Sequence, residues 1–175
     1  MAAEAHWLTG LVRDIADYPT AGVTFRDITP LLGDADGFAA SIDELVERFR
    51  DVGVDRVLGM EARGFIVAAP VAYRLGAGFI PVRKAGKLPW AVIREEYQLE
   101  YGSDVLEVHR DAISPDERIL VIDDVLATGG TADATCRLVE TLGGTVVGLG
   151  FLIELPGLGG RKRLGDRRVE SLARY

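Results

Sequence analysis

The sequence predicts a single α/β domain with a central, mainly parallel sheet flanked by helices. Its 175 residues are 48% hydrophobic, enough for one full-sized core and too few for a second large domain. Strand-like runs alternate with segments of helical period, the order that builds a parallel sheet covered on both faces. The run Arg118-Ile-Leu-Val-Ile-Asp123 is apolar at successive positions, as in a strand buried on both sides, and is expected at the centre.

Along the chain, Leu8, Leu11, Val12 and Ile15 fall at helical spacing, so a short N-terminal helix is expected, stopped at Tyr18-Pro19. Thr20 to Pro30 has no helical period and reads as an irregular or extended connector. Phe38, Ile42, Leu45, Val46 and Phe49 form an amphipathic stripe, with Asp34 or Asp36 as cap and Gly53 placed to end the helix. Val54–Met60 reads as a strand, Gly64–Leu75 as a small-residue helix, and Gly78–Arg83 as the next strand. From Lys84 to Gly102 the pattern breaks into glycine, proline and alternating charges, a connector with the length of a lid. Leu106–Ala112 resumes as strand, Ser114-Pro115-Asp116 turns, and Arg118–Asp123 follows. A helix over about Ala132–Leu142, stopped by Gly143-Gly144, and a strand over Thr145–Leu155 complete a second βαβ unit.

Composition excludes several function classes. Twenty basic against 27 acidic side chains give a net charge of −7, which argues against a surface for nucleic acid or anionic lipid and makes any anion site a local exception. The lone cysteine, Cys136, can form no internal disulfide and no zinc cluster, as fits a reducing cytoplasm. The N-terminus lacks the basic and apolar regions of a signal peptide, and the longest apolar run, Gly64–Tyr73, falls short of the roughly 20 residues a membrane span needs.

The sharpest chemical signal is Ile119-Leu-Val-Ile-Asp-Asp-Val-Leu-Ala-Thr-Gly-Gly-Thr131. A buried strand here delivers two carboxylates and then a Gly-Gly turn that opens a helix. Backbone N–H groups, the helix dipole and the Thr128 and Thr131 hydroxyls form a cradle for a phosphate with no cationic side chain. Asp123 and Asp124 would repel that phosphate, so they are expected to face something neutral or cationic beside it: ribose hydroxyls or a magnesium ion. Gly59-Met-Glu-Ala-Arg-Gly-Phe65 is a second strand-to-helix turn, which brings Arg63 to the same end of the sheet. Arg83-Lys-Ala-Gly-Lys87, at the next strand end, is a compact basic cluster in an acidic protein. Two basic strand ends beside a phosphate cradle suit a ligand with more than one anionic group. Arg94 to Gly102, rich in acids and tyrosines, reads either as a solvated hairpin or as a lid that excludes water and delivers Glu100 or Tyr101.

The Asp-Asp-x-x-Ala-Thr-Gly-Gly-Thr segment resembles the phosphoribosyl pyrophosphate signature of type I phosphoribosyltransferases. Gly22–Leu32, Glu61-Ala-Arg-Gly-Phe65, Glu96–Gly102 and Gly160-Arg-Lys-Arg-Leu164 are similar, in order, to the adenine-specific branch of that family. The resemblance implies one domain over residues 1–175, with an N-terminal helix and purine-side hood over 1–33, a flexible lid over 84–104 and the phosphoribosyl pyrophosphate motif over 119–131. It implies transfer of the 5-phosphoribosyl group from phosphoribosyl pyrophosphate to adenine, giving AMP and pyrophosphate, with magnesium bound mainly through the substrate. A cytoplasmic homodimer without nucleic-acid or membrane partners is also implied.

Residue by residue, Ala127, Thr128, Gly129, Gly130 and Thr131 match the 5′-phosphate loop, and Asp123 and Asp124 the acids that hold the ribose hydroxyls. Arg63 matches the pyrophosphate-loop arginine, Lys84 and Lys87 fall on the pyrophosphate side, and Arg83 on a position that reaches the neighbouring subunit's site in family dimers. Phe25 matches the aromatic stacked on the purine with Val125 opposite, while backbone around Thr24 and Arg26 reads the base edge. Glu100, beside the lid residue Tyr101, matches the acid that manages a purine ring proton. Trp90 and Ala85 depart from the family pattern, which expects a small residue and a basic one. The alternatives are the same chemistry on hypoxanthine, guanine or xanthine, and a non-catalytic regulator that senses phosphoribosyl pyrophosphate.

Overall fold

The computed structural model describes residues 6–98 and 103–175. Among them a seven-stranded sheet has the order β5-β6-β4-β3-β7-β8-β9, formed by β3 (Arg56–Met60), β4 (Gly78–Lys84), β5 (Val92–Gln98), β6 (Ser103–His109), β7 (Arg118–Leu126), β8 (Thr145–Glu154) and β9 (Val169–Arg174). From β4 to β9 neighbours run parallel, while β6 pairs antiparallel with both β4 and β5. The expected mainly parallel α/β fold is therefore present.

β7 explains why the sheet is covered on both faces. Ile119 and Val121 join one apolar cluster with helix α5 (Gly130–Thr141), while Leu120 and Ile122 join another with α3 (Ala35–Phe49) and α4 (Arg63–Leu75). All four are fully buried, which is the reason this strand carries no polar alternation. Asp34 caps α3, its side chain accepting from the Gly37 N–H at 2.7 Å as the sequence suggests. The helix stops at Phe49 with Arg50 as its cap, and Gly53, at φ 64°, shapes the later turn into β3 and does not end the helix.

Four local readings need correction. The N-terminal helix α1 covers only His6–Thr9; Arg13–Ile15 is instead β1, paired antiparallel with β2 (Phe25–Asp27). Leu8 and Leu11 face the core from one turn and the bend after it, which mimicked a longer helical period. The connector Thr20–Pro30 therefore holds a strand, and Pro30 lies in the first turn of α2 (Thr29–Gly33), where a missing N–H costs no intrahelical bond. Within the span read as a lid, Val92–Gln98 is strand β5, paired along its length with β6, which itself begins at Ser103 and ends before Ala112. The charges hid its alternation: Glu95 turns inward but pairs with Arg137 of α5 at 2.6 Å. Finally, β9 was not foreseen, because Glu170 and Arg174 interrupt its buried Val169, Leu172 and Ala173.

Candidate active site

Because β3, β4 and β7 are parallel neighbours, their carboxyl ends open on one edge of the sheet, where ligands of open α/β folds bind. β7 runs farther than β3: their pairing ends at Gly59–Ile122, and from Asp123 onward β7 is held by β8 alone. Asp123 and Asp124 thus lie where the turn from β3 into α4 leaves room. Gly64 sets that approach, since a Cβ there would sit 2.6 Å from Asp123 Oδ1. A side chain here would push the Asp123 carboxylate out of place.

Beyond Leu126 the chain forms a neutral loop. Gly129 has φ +77°, and a Cβ on it would meet the Gly160 carbonyl oxygen at 2.8 Å. Only glycine satisfies both the backbone and the contact with α6 (Gly160–Arg163). Gly129 is also the cap of α5 and offers no side-chain acceptor, so first-turn N–H groups stay available to a ligand. A pocket of about 70 Å³ lies over this turn, lined by Asp123, Val125 and the backbone and hydroxyls of Ala127–Thr131. That is room for one small oxyanion, with the rest of a larger ligand outside it.

Arg63 connects the loop to the rest of the site. Its Nε donates to Asp124 Oδ2, and its guanidinium lies 5.4 Å from the centre of the Phe25 ring. Asp124 is buried, whereas half of the Arg63 side chain is exposed. Burial and the neighbouring Asp124 carboxylate push the Asp123 carboxyl well above its ordinary range. Burial opposes the charge of Arg63, but the bond to Asp124 outweighs it and raises the guanidinium. Phe25 packs edge-on against Tyr18 at 5.3 Å. The Arg26 side chain turns to Asp14 and to the ring of Tyr175, 4.3 Å away, which leaves its backbone beside Phe25 as the part able to meet a ligand.

At the end of β4 every basic group has an acidic partner. Glu61 takes Lys87 and Arg83, and Asp104 on β6 takes Lys84 at 2.9 Å. Bonding to Asp104 raises the Lys84 ammonium and lowers the Asp104 carboxyl. Asp104 Oδ2 also accepts from the Tyr97 hydroxyl at 3.4 Å. Glu61, Asp104 and Tyr97 were missed as site neighbours. Glu61 had a signal in its place two residues before Arg63, whereas Asp104 is placed by the pairing register of β5 with β6, which the alternative of a solvated hairpin over Arg94 to Gly102 left unspecified. Glu100 and Tyr101 lie outside the described residues.

Residues 27–173 match the phosphoribosyl transferase domain family. A protein from Acidothermus cellulolyticus named adenine phosphoribosyltransferase is 57% identical over 163 residues, which cover 93% of this chain and 92% of its own. The crystal structure of adenine phosphoribosyltransferase from Thermoanaerobacter pseudethanolicus aligns with a TM-score of 0.94 at 47% identity, over 97% of this chain and 98% of that one. The Saccharomyces cerevisiae enzyme of that name, complexed with D-2,5-dideoxy-2,5-imino-altritol 1,6-bisphosphate and adenine, aligns at 0.91 and 37% identity over 98% of this chain and 99% of its own.

Proposed function

The chain belongs to the phosphoribosyl transferase family, and from that membership we infer how its site works. It is a transferase that moves the 5-phosphoribosyl group from phosphoribosyl pyrophosphate to adenine, forming AMP and pyrophosphate in purine salvage. The observation that carries the residue-level reading is the juxtaposition at one sheet edge of a neutral phosphate-sized cradle and a basic cluster, with two carboxylates between them.

In this reading Ala127–Thr131 hold the 5′-phosphate through backbone N–H groups and hydroxyls. Asp123 and Asp124 accept from the ribose hydroxyls, and Phe25 and Val125 sandwich the purine while backbone near Arg26 reads its edge. As the bond to pyrophosphate breaks, positive charge builds on the ribose ring and negative charge on the leaving group. The acids lie beside the first, and Arg63, Lys84, Lys87 and Arg83 beside the second. Fixing the phosphate at one end and the purine at the other brings the reacting atoms together. Glu100 and Tyr101 complete the reading as groups of a lid that keeps water from competing with adenine.

Among the described residues no three His, Cys, Asp or Glu side chains converge as a metal site. Magnesium is proposed, as family membership implies, to take its ligands mainly from the substrate's oxygens, with Asp123 and Asp124 as the protein carboxylates that would face it. When bound, it supplies charge neutralisation for the leaving diphosphate. A homodimer is proposed from the exposed apolar side chains Ile66 and Tyr73, seven residues apart on α4, and Phe79 on β4, which packs against Phe65. No helix among the described residues is long and apolar enough to cross a membrane, and the cytoplasm is the proposed compartment.

Incubating the protein with phosphoribosyl pyrophosphate, magnesium and one purine at a time tests this directly. AMP and pyrophosphate are expected with adenine alone. Product from hypoxanthine, guanine or xanthine would overturn the base assignment, and binding of phosphoribosyl pyrophosphate with no turnover would overturn the catalytic one.

A further inference from the structure

Glu61 follows β3 directly and precedes Arg63 by two residues. Its carboxylate, only 10% exposed, serves the whole end of β4. Oε1 accepts from Lys87 Nζ, and Oε2 accepts from Arg83 Nε at 3.3 Å and from the Lys84 backbone N–H at 3.1 Å. Arg83 also donates to the Lys87 carbonyl at 3.1 Å, so side chain and backbone close residues 83–87 into a ring around one carboxylate. Burial works against ionisation, but these donors hold the carboxyl below its ordinary value, and it is charged at neutral pH.

A fixed negative charge beside an anion site opposes the anion by Coulomb repulsion. Attachment of the turn to β4 does not require it, because the Glu61 N–H already donates to the Val82 carbonyl at 3.0 Å. Lys87 and Arg83 are long, with side chains 45% and 34% exposed. Left free, both would have to be ordered each time a ligand bound. We propose that Glu61 is a positioning residue that pre-orders Lys87, Arg83 and the intervening loop to receive the departing diphosphate. This rests on the assignment of those basic groups to the pyrophosphate side. Ordering outweighs repulsion here because the Lys87 ammonium and Arg83 guanidinium paired with Glu61 offset its charge, whereas the entropy of two long side chains is lost on binding without a tether.

The test titrates magnesium pyrophosphate and, separately, AMP into the wild type, Glu61→Gln, Glu61→Asp and Lys87→Ala. Glu61→Gln is expected to weaken pyrophosphate about tenfold, the scale of a charged hydrogen bond, with AMP affinity within about twofold of wild type. Glu61→Asp, which keeps the charge on a shorter arm, should fall between. Unchanged or tighter pyrophosphate binding in Glu61→Gln would overturn the proposal, since repulsion would then dominate. Equal loss of AMP and pyrophosphate would overturn it too, assigning Glu61 to the fold. If Lys87→Ala leaves pyrophosphate affinity unaltered, the pyrophosphate-side assignment fails instead.

Discussion

The two ends of the site that are proposed to hold the ligand's anionic groups are built from different materials. At the end of β7 the ligand meets backbone N–H groups and hydroxyls fixed by a left-handed glycine wedged against Gly160. At the ends of β3 and β4 it meets guanidinium and ammonium groups on flexible stems, each already held by Asp124, Glu61 or Asp104. The first end is rigid and neutral, and nothing must move for a phosphate to enter. The second presents cations that carboxylates already hold in place, so its affinity rests on ion pairs formed before the ligand arrives. That suits a group that must be gripped in the transition state and then released.

Gly129→Val attacks the rigid end where it has least slack. A β-branched residue fits neither the φ of +77° nor the 2.8 Å approach to Gly160, so turnover should fall on the order of 10³-fold while pyrophosphate still binds. Paired titration and rate measurements would show it, and wild-type turnover would break the contrast. Next in size, Asp124→Asn should lower kcat/KM by roughly 10²-fold, because the amide keeps one neutral acceptor but loses the charge that holds Arg63 and is proposed to face the ribose hydroxyls. With Arg63 half exposed, water can solvate the freed guanidinium, so a calorimetric Tm should move only by about 2–4 °C, equivalent to about 1 kcal/mol. Lys87→Ala, on the flexible end, should lower kcat/KM for phosphoribosyl pyrophosphate about tenfold, with kcat falling as well as KM rising, because the ammonium is assigned to charge that grows on the leaving group.

The smallest expected effect concerns stability. Asp123 is held above the carboxylate range by burial and by Asp124, so the folded state binds its proton more tightly than the unfolded chain does. Its contribution is then fully present below the unfolded value and is lost as pH rises through the raised folded one. Asp123→Asn should accordingly melt higher than wild type at neutral pH, with the advantage shrinking toward pH 4, and no loss of advantage on acidification would contradict the burial argument.

The same contrast explains what could be read from the sequence. The rigid end was legible almost completely, because Asp123-Asp124 and Ala127–Thr131 are contiguous and glycine and threonine declare their task by type. The basic groups Arg63, Arg83, Lys84 and Lys87 were legible as residues. Their carboxylate partners were not: Asp104 reaches Lys84 only through the register of β5 with β6, which the hairpin alternative for this segment did not specify. In the fold, buried strands such as β7 showed themselves through uninterrupted apolar runs, whereas β1 and β2 have three residues each, and charged residues in these two and in β9 left no period to find.

The most direct measurement titrates ribose 5-phosphate and magnesium pyrophosphate separately into wild type, Thr128→Ala and Lys87→Ala. A division of labour between the two ends requires Thr128→Ala to weaken ribose 5-phosphate about tenfold and spare pyrophosphate, and Lys87→Ala to do the reverse. If each variant weakened both ligands equally, or neither ligand, the two ends would not be the separate anion sites described.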